Sequence, residues 1–447
     1  MKKQLALFVL ALIVAIPDLS AAVSDAEVQA LREQIRLLSE RIDQLERAES
    51  PTPVAPAQHG APAPLVAAEA SPGVAPQVAP IDEQVDEQAM DAKIDQAVAA
   101  KVDEKMAAVS WAERIRWSGD FRYRYEDIAI EDSSDRNRNR IRARTALEAD
   151  VSSTMKVGIG LASGSDDPVS TNQTLGGGGS HKPISLDLAY FEWTGLANTK
   201  VKGGKFKNDL YRTADNLNQL LWDSDWRPEG TTFNYNNGTV FVVGLGSWLE
   251  SDSKKQNQMF AYGIQAGVNL PVGDAMTLTT GVGYYNIDSA GKSAFYPDDD
   301  FFGNSFDPVT QTYLYSYYEL EAFGQMAFNI FDRPTIVFAD YVYNLDPEDN
   351  NTAYSLGFKY GQAKTKGTWE FGYSYRKIEE DGVFGLITDS DFGNGGSDVK
   401  GSVFTGAYAF HDNWNFTTTY YLTKNGIDTA DPKDYNRWQL DLNFKFK

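Results

Sequence analysis

The chain has no cysteine in its 447 residues, which excludes disulfides and lipoprotein acylation at a thiol. It has only three histidines, His59, His181 and His411, and no two of them stand at metal-ligand spacing. It has no apolar run of about 18 residues or more, so no helix is expected to cross a membrane. Positive charge is also scarce. The formal net charge is −21, which argues against nucleic acid as a partner. No Gly-x-Ser-x-Gly, phosphate loop or dinucleotide fingerprint is present. These absences point away from an enzyme and away from any metal or cofactor.

The apolar run that does exist, Leu5 to Ile16, follows Lys2 and Lys3 and precedes Ser20-Ala21-Ala22. That order predicts a secretory signal over residues 1–22. Residues 23–49 follow, where Val28, Leu31, Ile35, Leu38, Ile42 and Leu45 form an a/d seam, the pattern of a short coiled coil. Residues 50–80 are rich in Pro and Ala and read as an extended linker. Residues 81–110 are acidic and Ala-rich and read as a helix.

Composition changes at Trp111, and residues 111–447 read as strands. Side chains of a strand alternate between two faces, so a strand facing lipid and water in turn alternates apolar with polar. Trp117, Phe121, Tyr123 and Tyr125 interleave with Ser118, Asp120, Arg122 and Arg124. At the other end Trp438, Leu440, Leu442, Phe444 and Phe446 alternate with Gln439, Asp441, Asn443 and Lys445. Short turns at 152–154, 195–199, 236–238, 271–274, 331–334, 363–367 and 411–413 alternate with longer polar segments near 126–138, 164–183, 207–229, 250–257, 288–314, 345–352, 379–397 and 425–434. The resulting connections predict 16 antiparallel strands with both barrel ends on one side. The polar faces carry charge in strand after strand, including Asp120, Arg142, Lys156, Glu321, Lys359, Glu370 and Asp441. A dry core would not hold so many charges, whereas a water-filled lumen would. The expected fold is therefore an all-β transmembrane barrel with an N-terminal helical, coiled-coil extension in the periplasm.

Two segments could carry function. Nine arginines and no lysine lie between Arg114 and Arg144. Five of them, Arg122, Arg124, Arg140, Arg142 and Arg144, fall on the polar faces of the first two strands. Guanidinium stays charged and grips carboxylate or phosphate in a fork geometry. These side chains either line the pore as a cationic wall or brace it by pairing with lumen carboxylates, Asp441 among them. The third long loop carries Asp209, Asp215, Asp223, Asp225 and Glu229 together with Leu210, Leu217, Leu220, Leu221 and Trp222. Leu217, Leu220 and Leu221 suggest a helical turn. Folded inward, the loop would set acids opposite the arginines; packed outside, it would contact a neighbouring subunit. Asp298 to Asp300, Asp346 to Asn350 and Asp389 to Asp398 read as solvated acidic tips, with hard oxygens suited to Ca²⁺ but no EF-hand spacing.

Trp111 to Glu126, Arg136 to Arg144, Lys202 to Phe206 and Trp222 to Gly230, with the last strand, resemble the bacterial putative-porin family. The resemblance implies a homotrimeric diffusion channel in outer-membrane lipid and lipopolysaccharide, with an inward third loop and no cofactor. The competing expectation is a structural protein whose extension tethers the membrane to peptidoglycan.

Overall fold

The computed structural model describes residues 114–251, 257–297 and 300–447. The signal, coiled coil, linker and acidic helix expected in residues 1–110 lie outside them. The barrel strands are β1 (Ile115–Ile130), β2 (Arg136–Ser152), β3 (Met155–Ser163), β4 (Ile184–Trp193), β5 (Thr199–Lys205), β6 (Glu229–Asn236), β7 (Val240–Glu250) and β8 (Met259–Val272). The circuit continues through β9 (Met276–Ile287), β10 (Tyr317–Ile330), β11 (Arg333–Asn344), β12 (Thr352–Gly361), β13 (Trp369–Ile378), β14 (Val399–His411), β15 (Trp414–Asn425) and β16 (Lys433–Phe446). Each pairs antiparallel with the next. β1 also pairs with β16, from Gly119 opposite Phe446 to Ile130 opposite Tyr435, so the sheet closes as a 16-stranded barrel. Closure leaves no open edge, which a lipid environment requires of a sheet.

The alternation sorts as expected. Trp117 is 61% exposed, and Phe121, Tyr123, Leu147, Trp438 and Phe444 are exposed beside it on the outer surface. Gly119 permits the seam's tight end. A Cβ there would stand 2.4 Å from the Phe446 ring and 2.3 Å from the Arg144 carbonyl oxygen.

The interior is not uniform. Near the short turns the inward residues Asp120, Lys156, Lys359, Glu370, Thr417 and Asn443 are partly exposed. Towards the long loops the inward residues are buried, Tyr285, Ile287, Tyr317, Val342 and Ile378 among them. They join one apolar cluster with Leu220, Leu221 and Trp222 of one loop and Val383, Phe384 and Ile387 of another. The charged, partly exposed lining therefore gives way to an apolar cluster at the long-loop end. Those loops carry too much apolar surface to stay outside, and packing inside the barrel removes it from water.

Strand limits also differ from expectation. β1 runs on to Ile130 and β2 starts at Arg136, so residues 126–130 and 136–138 are strand rather than loop. The helical turn expected at Leu217 to Leu221 is a single 3₁₀ turn, Asp215–Leu217. Beyond it the chain is held by tertiary hydrogen bonds instead of a helix.

Candidate functional site: an arginine wall and two inward loops

β1, β2 and β16 are neighbours, and their inward side chains form one wall. The register sets Arg122 opposite Arg142 and Arg124 opposite Arg140. Across the other edge Arg124 faces Asp441. Like charges directly opposite destabilise a sheet unless something intervenes. Carboxylates intervene here. Asp120 bonds Arg142 at 2.9 Å and Arg144 at 2.8 Å. Asp441 takes two hydrogen bonds from Arg124, at 2.7 and 2.8 Å, and lies 3.8 Å from Arg122.

Glu126 is the hub of the wall. It is fully buried and accepts from Arg138, with Arg437 at 2.8 Å, Arg124 at 3.5 Å and Arg140 at 3.6 Å. The sequence pattern points to a loop at Glu126, whereas the residue lies within β1. Its spacing from Arg122 and Arg124 was the available signal, since the alternation continues through it.

The five predicted arginines thus stand together, but as a paired network rather than a free ladder. On this wall the guanidiniums of Arg122, Arg124, Arg138, Arg140, Arg142, Arg144 and Arg437 outnumber the carboxylates of Asp120, Glu126, Asp225, Asp391 and Asp441. Arg122 and Arg140 carry the looser pairings. Both lie beside Asn172, whose side chain accepts from Arg122 and whose carbonyl accepts from Arg140 at 3.4 Å. The Nε of each finds no acceptor among the described residues.

The five predicted loop acids do not act together. Asp225 alone faces the predicted arginines, at 2.7 Å from Arg144 and 3.5 Å from Arg142, with Arg227 at 3.8 Å. Burial alone would raise its carboxyl, but these three guanidiniums hold it below the usual carboxylate value. Asp223, two residues away, is buried; burial, then Asp225 and Asp389, push it up. It accepts the backbone N–H of Ser390 and of Asp225. Asp209 pairs with Lys202 at 2.6 Å, and Asp215, exposed at 84%, lies 3.6 Å from Lys359. Glu229 opens β6 and pairs with Lys205 at 2.5 Å.

The loop between β5 and β6, residues 206–228, does lie inside. Gln265 of β8 accepts from the Tyr211 N–H, and Gln325 of β10 from the Ala214 N–H. Asn218 donates to Asp340 of β11, and Arg376 of β13 donates to the Leu217 carbonyl at 2.8 Å. Leu217 rests over Gly372, where a Cβ would meet it at 3.0 Å.

The loop between β13 and β14, residues 379–398, lies inside as well. This corrects the expectation of solvated acid at Asp389 to Asp398. Asp389 is buried against buried Arg376, and Asp391 reaches Arg124 at 3.0 Å and Arg437 at 2.8 Å. Burial opposes the Asp391 charge, but Arg437 and Arg124 keep its carboxyl well below the usual value. The Gly-rich acidic sequence suggested a solvated tip. The Val383 to Ile387 segment within it, apolar at four positions, was the signal against that.

A family profile described as Putative porin matches residues 128–296 and 308–446. Among solved structures, the high-pH form of Pseudomonas putida OprB superposes with a TM-score of 0.51 at 12% identity, over 77% of this chain and 97% of its own. Salmonella typhi OmpF, solved in complex with daunomycin, gives 0.48 at 11% identity, over 74% of this chain and 97% of its own. At such identity the first likeness is one of fold. No protein of curated function matches the chain in sequence.

Proposed function

The chain belongs to the putative-porin family and is an outer-membrane porin channel, and we propose from this that it passes small hydrophilic solutes and ions by passive diffusion. The observation that carries the reading is the charged inward wall within a closed barrel whose outer face is apolar and aromatic. A lipid-spanning barrel needs no charge inside unless water or a polar solute reaches it. The excess of guanidiniums over carboxylates on that wall supports a preference for anions despite the acidic total. Asp225 and Asp391 temper the preference by bringing loop carboxylates against the arginines.

In this reading the protein transports and does not catalyse, and it needs no cofactor. The reading includes a homotrimer in lipid and lipopolysaccharide, with residues 23–110 in the periplasm. The Pro/Ala-rich segment 50–80 favours a second role, a tether to peptidoglycan. Swelling of sugar-loaded liposomes tests both. Deleting residues 25–109 leaves the swelling rate unchanged if the barrel is the channel. Co-sedimentation with the cell wall, lost in the same variant, marks the tether. Liposomes that never swell with the full chain would rule out diffusion.

A further inference from the structure

One inward loop would suffice to narrow a porin barrel, and here the loop of residues 379–398 packs inside together with the loop of residues 206–228. We propose that the loop of residues 379–398 is a second constriction element, latched to the arginine wall, and that it sets the size limit for solutes together with the loop of residues 206–228. The proposal rests on the channel reading and adds to it a second determinant of specificity.

Three sets of contacts carry it. The first is apolar: Val383, Phe384, Leu386, Ile387 and Phe392 are all buried in the cluster that fills the long-loop end. A loop meant only for the outer surface would gain nothing from five such side chains. The second set is ionic. Asp391 joins Arg124 of β1 and Arg437 of β16, so the loop is fastened across the seam that closes the barrel. Asp389 fastens it to Arg376 of β13 on the opposite flank of the loop.

The third set locks the two loops together. The Asp223 N–H donates to the Ile387 carbonyl at 2.8 Å, and the Thr388 hydroxyl donates to the Leu220 carbonyl at 2.8 Å. The Ser390 hydroxyl also donates to the Val169 carbonyl, in the loop between β3 and β4, at 3.1 Å. Neither loop can move far while these bonds hold. The size of the passage is therefore a property of the pair.

The ends of the loop suggest a clean test. Ile378 and Val399 are register partners on adjacent strands, so a short Gly-Ser turn can replace residues 379–398 without spreading the barrel. The full chain, this loop replacement and Asp391→Asn are compared by single-channel recording in planar bilayers and by liposome swelling with sugars of increasing size. Folding of each is checked by its heat-dependent mobility shift on gels. We expect the replacement to raise conductance at least about two-fold and to admit larger sugars, because pore area governs both. Asp391→Asn, which keeps the loop but removes its charge, moves both readings the same way by less. It also stands as the test should the replacement fail to fold. Folded variants with wild-type conductance and sugar limit would overturn the proposal. Absence of conducting steps from the unaltered chain would instead overturn the channel reading beneath it.

Discussion

Arg124 and Asp441 face each other across the closing seam of the barrel, joined by two hydrogen bonds of 2.7 and 2.8 Å although 317 residues separate them in sequence. The pair is a bidentate fork between the first strand and the last, and both residues are buried. Such a bond fixes register as well as closure, because a slip of either strand by one residue would send its member of the pair into lipid.

Asp441→Asn removes the charge that Arg124 and Arg122 both face. Breaking one partner of a buried pair costs about 3–5 kcal/mol, because the other charge is left behind. Arg124 keeps Asp391 and Glu126 here, so the lower end of that range is expected. The measurement is the temperature at which the barrel loses its folded mobility on gels. Asp441→Asn should lower it, and adding Arg124→Gln should lower it by less than the two single effects combined.

Asp225→Asn acts on the pore rather than the seam. The carboxylate sits among Arg142, Arg144 and Arg227, and its loss uncovers their charge. Anion preference should rise, seen as a larger reversal potential in a salt gradient. An unchanged potential would mean that ions do not pass this wall.

Gly119→Ala tests closure at the short-turn end. Its Cβ would meet the Arg144 carbonyl and the Phe446 ring, and the backbone carbonyl cannot swing aside. Phe446 also stacks edge-on against Trp117 at 5.3 Å, so displacing it disturbs the outer aromatic surface too. The fraction of protein reaching the heat-shifting barrel form should fall in this variant and remain unchanged in Gly244→Ala, where a Cβ would meet nothing within 4 Å.

How tightly the loop of residues 379–398 docks should depend on pH through Asp398. Burial, with Asp428 and Glu380 close by, pushes this carboxyl up to about 6. A raised carboxyl binds its proton more tightly when folded, so its contribution is full below the ordinary value near 4 and is lost as pH rises through about 6. Asp225 and Asp391 are lowered, so their contribution is present above about 4 and is lost only below it. Between pH 5 and 7 the Asp398 effect therefore acts in the same direction as those of Glu380 and Asp223, whose carboxyls burial also raises. Amide hydrogen exchange in this loop, corrected for intrinsic rates, should be slower at pH 5 than at pH 7. Asp398→Asn should reduce the difference.

These residues also mark what could be read in the sequence. The 16 strands were legible because alternation and turns are local: Trp117 to Tyr125 and Trp438 to Phe446 declare their faces without reference to the rest of the chain. The arginine cluster was legible for the same reason. Its pairing was only partly so. Asp441 follows from strand adjacency once the strands are counted. Glu126 was lost because the acids around it resemble a loop. The partner of Asp391 is not legible, because the apolar Val383 to Ile387 segment says that the loop packs but not that it meets Arg124 from 267 residues away. Loop packing depends on contacts between distant segments, and periodicity does not encode them.

Planar-bilayer recording of the full chain across a salt gradient tests the central claim most directly. The account predicts discrete conducting steps and a reversal potential on the anion side, reduced when Arg140, Arg142 and Arg144 are all changed to Ala. Absence of steps, or a reversal potential that the triple substitution leaves unmoved, would contradict it.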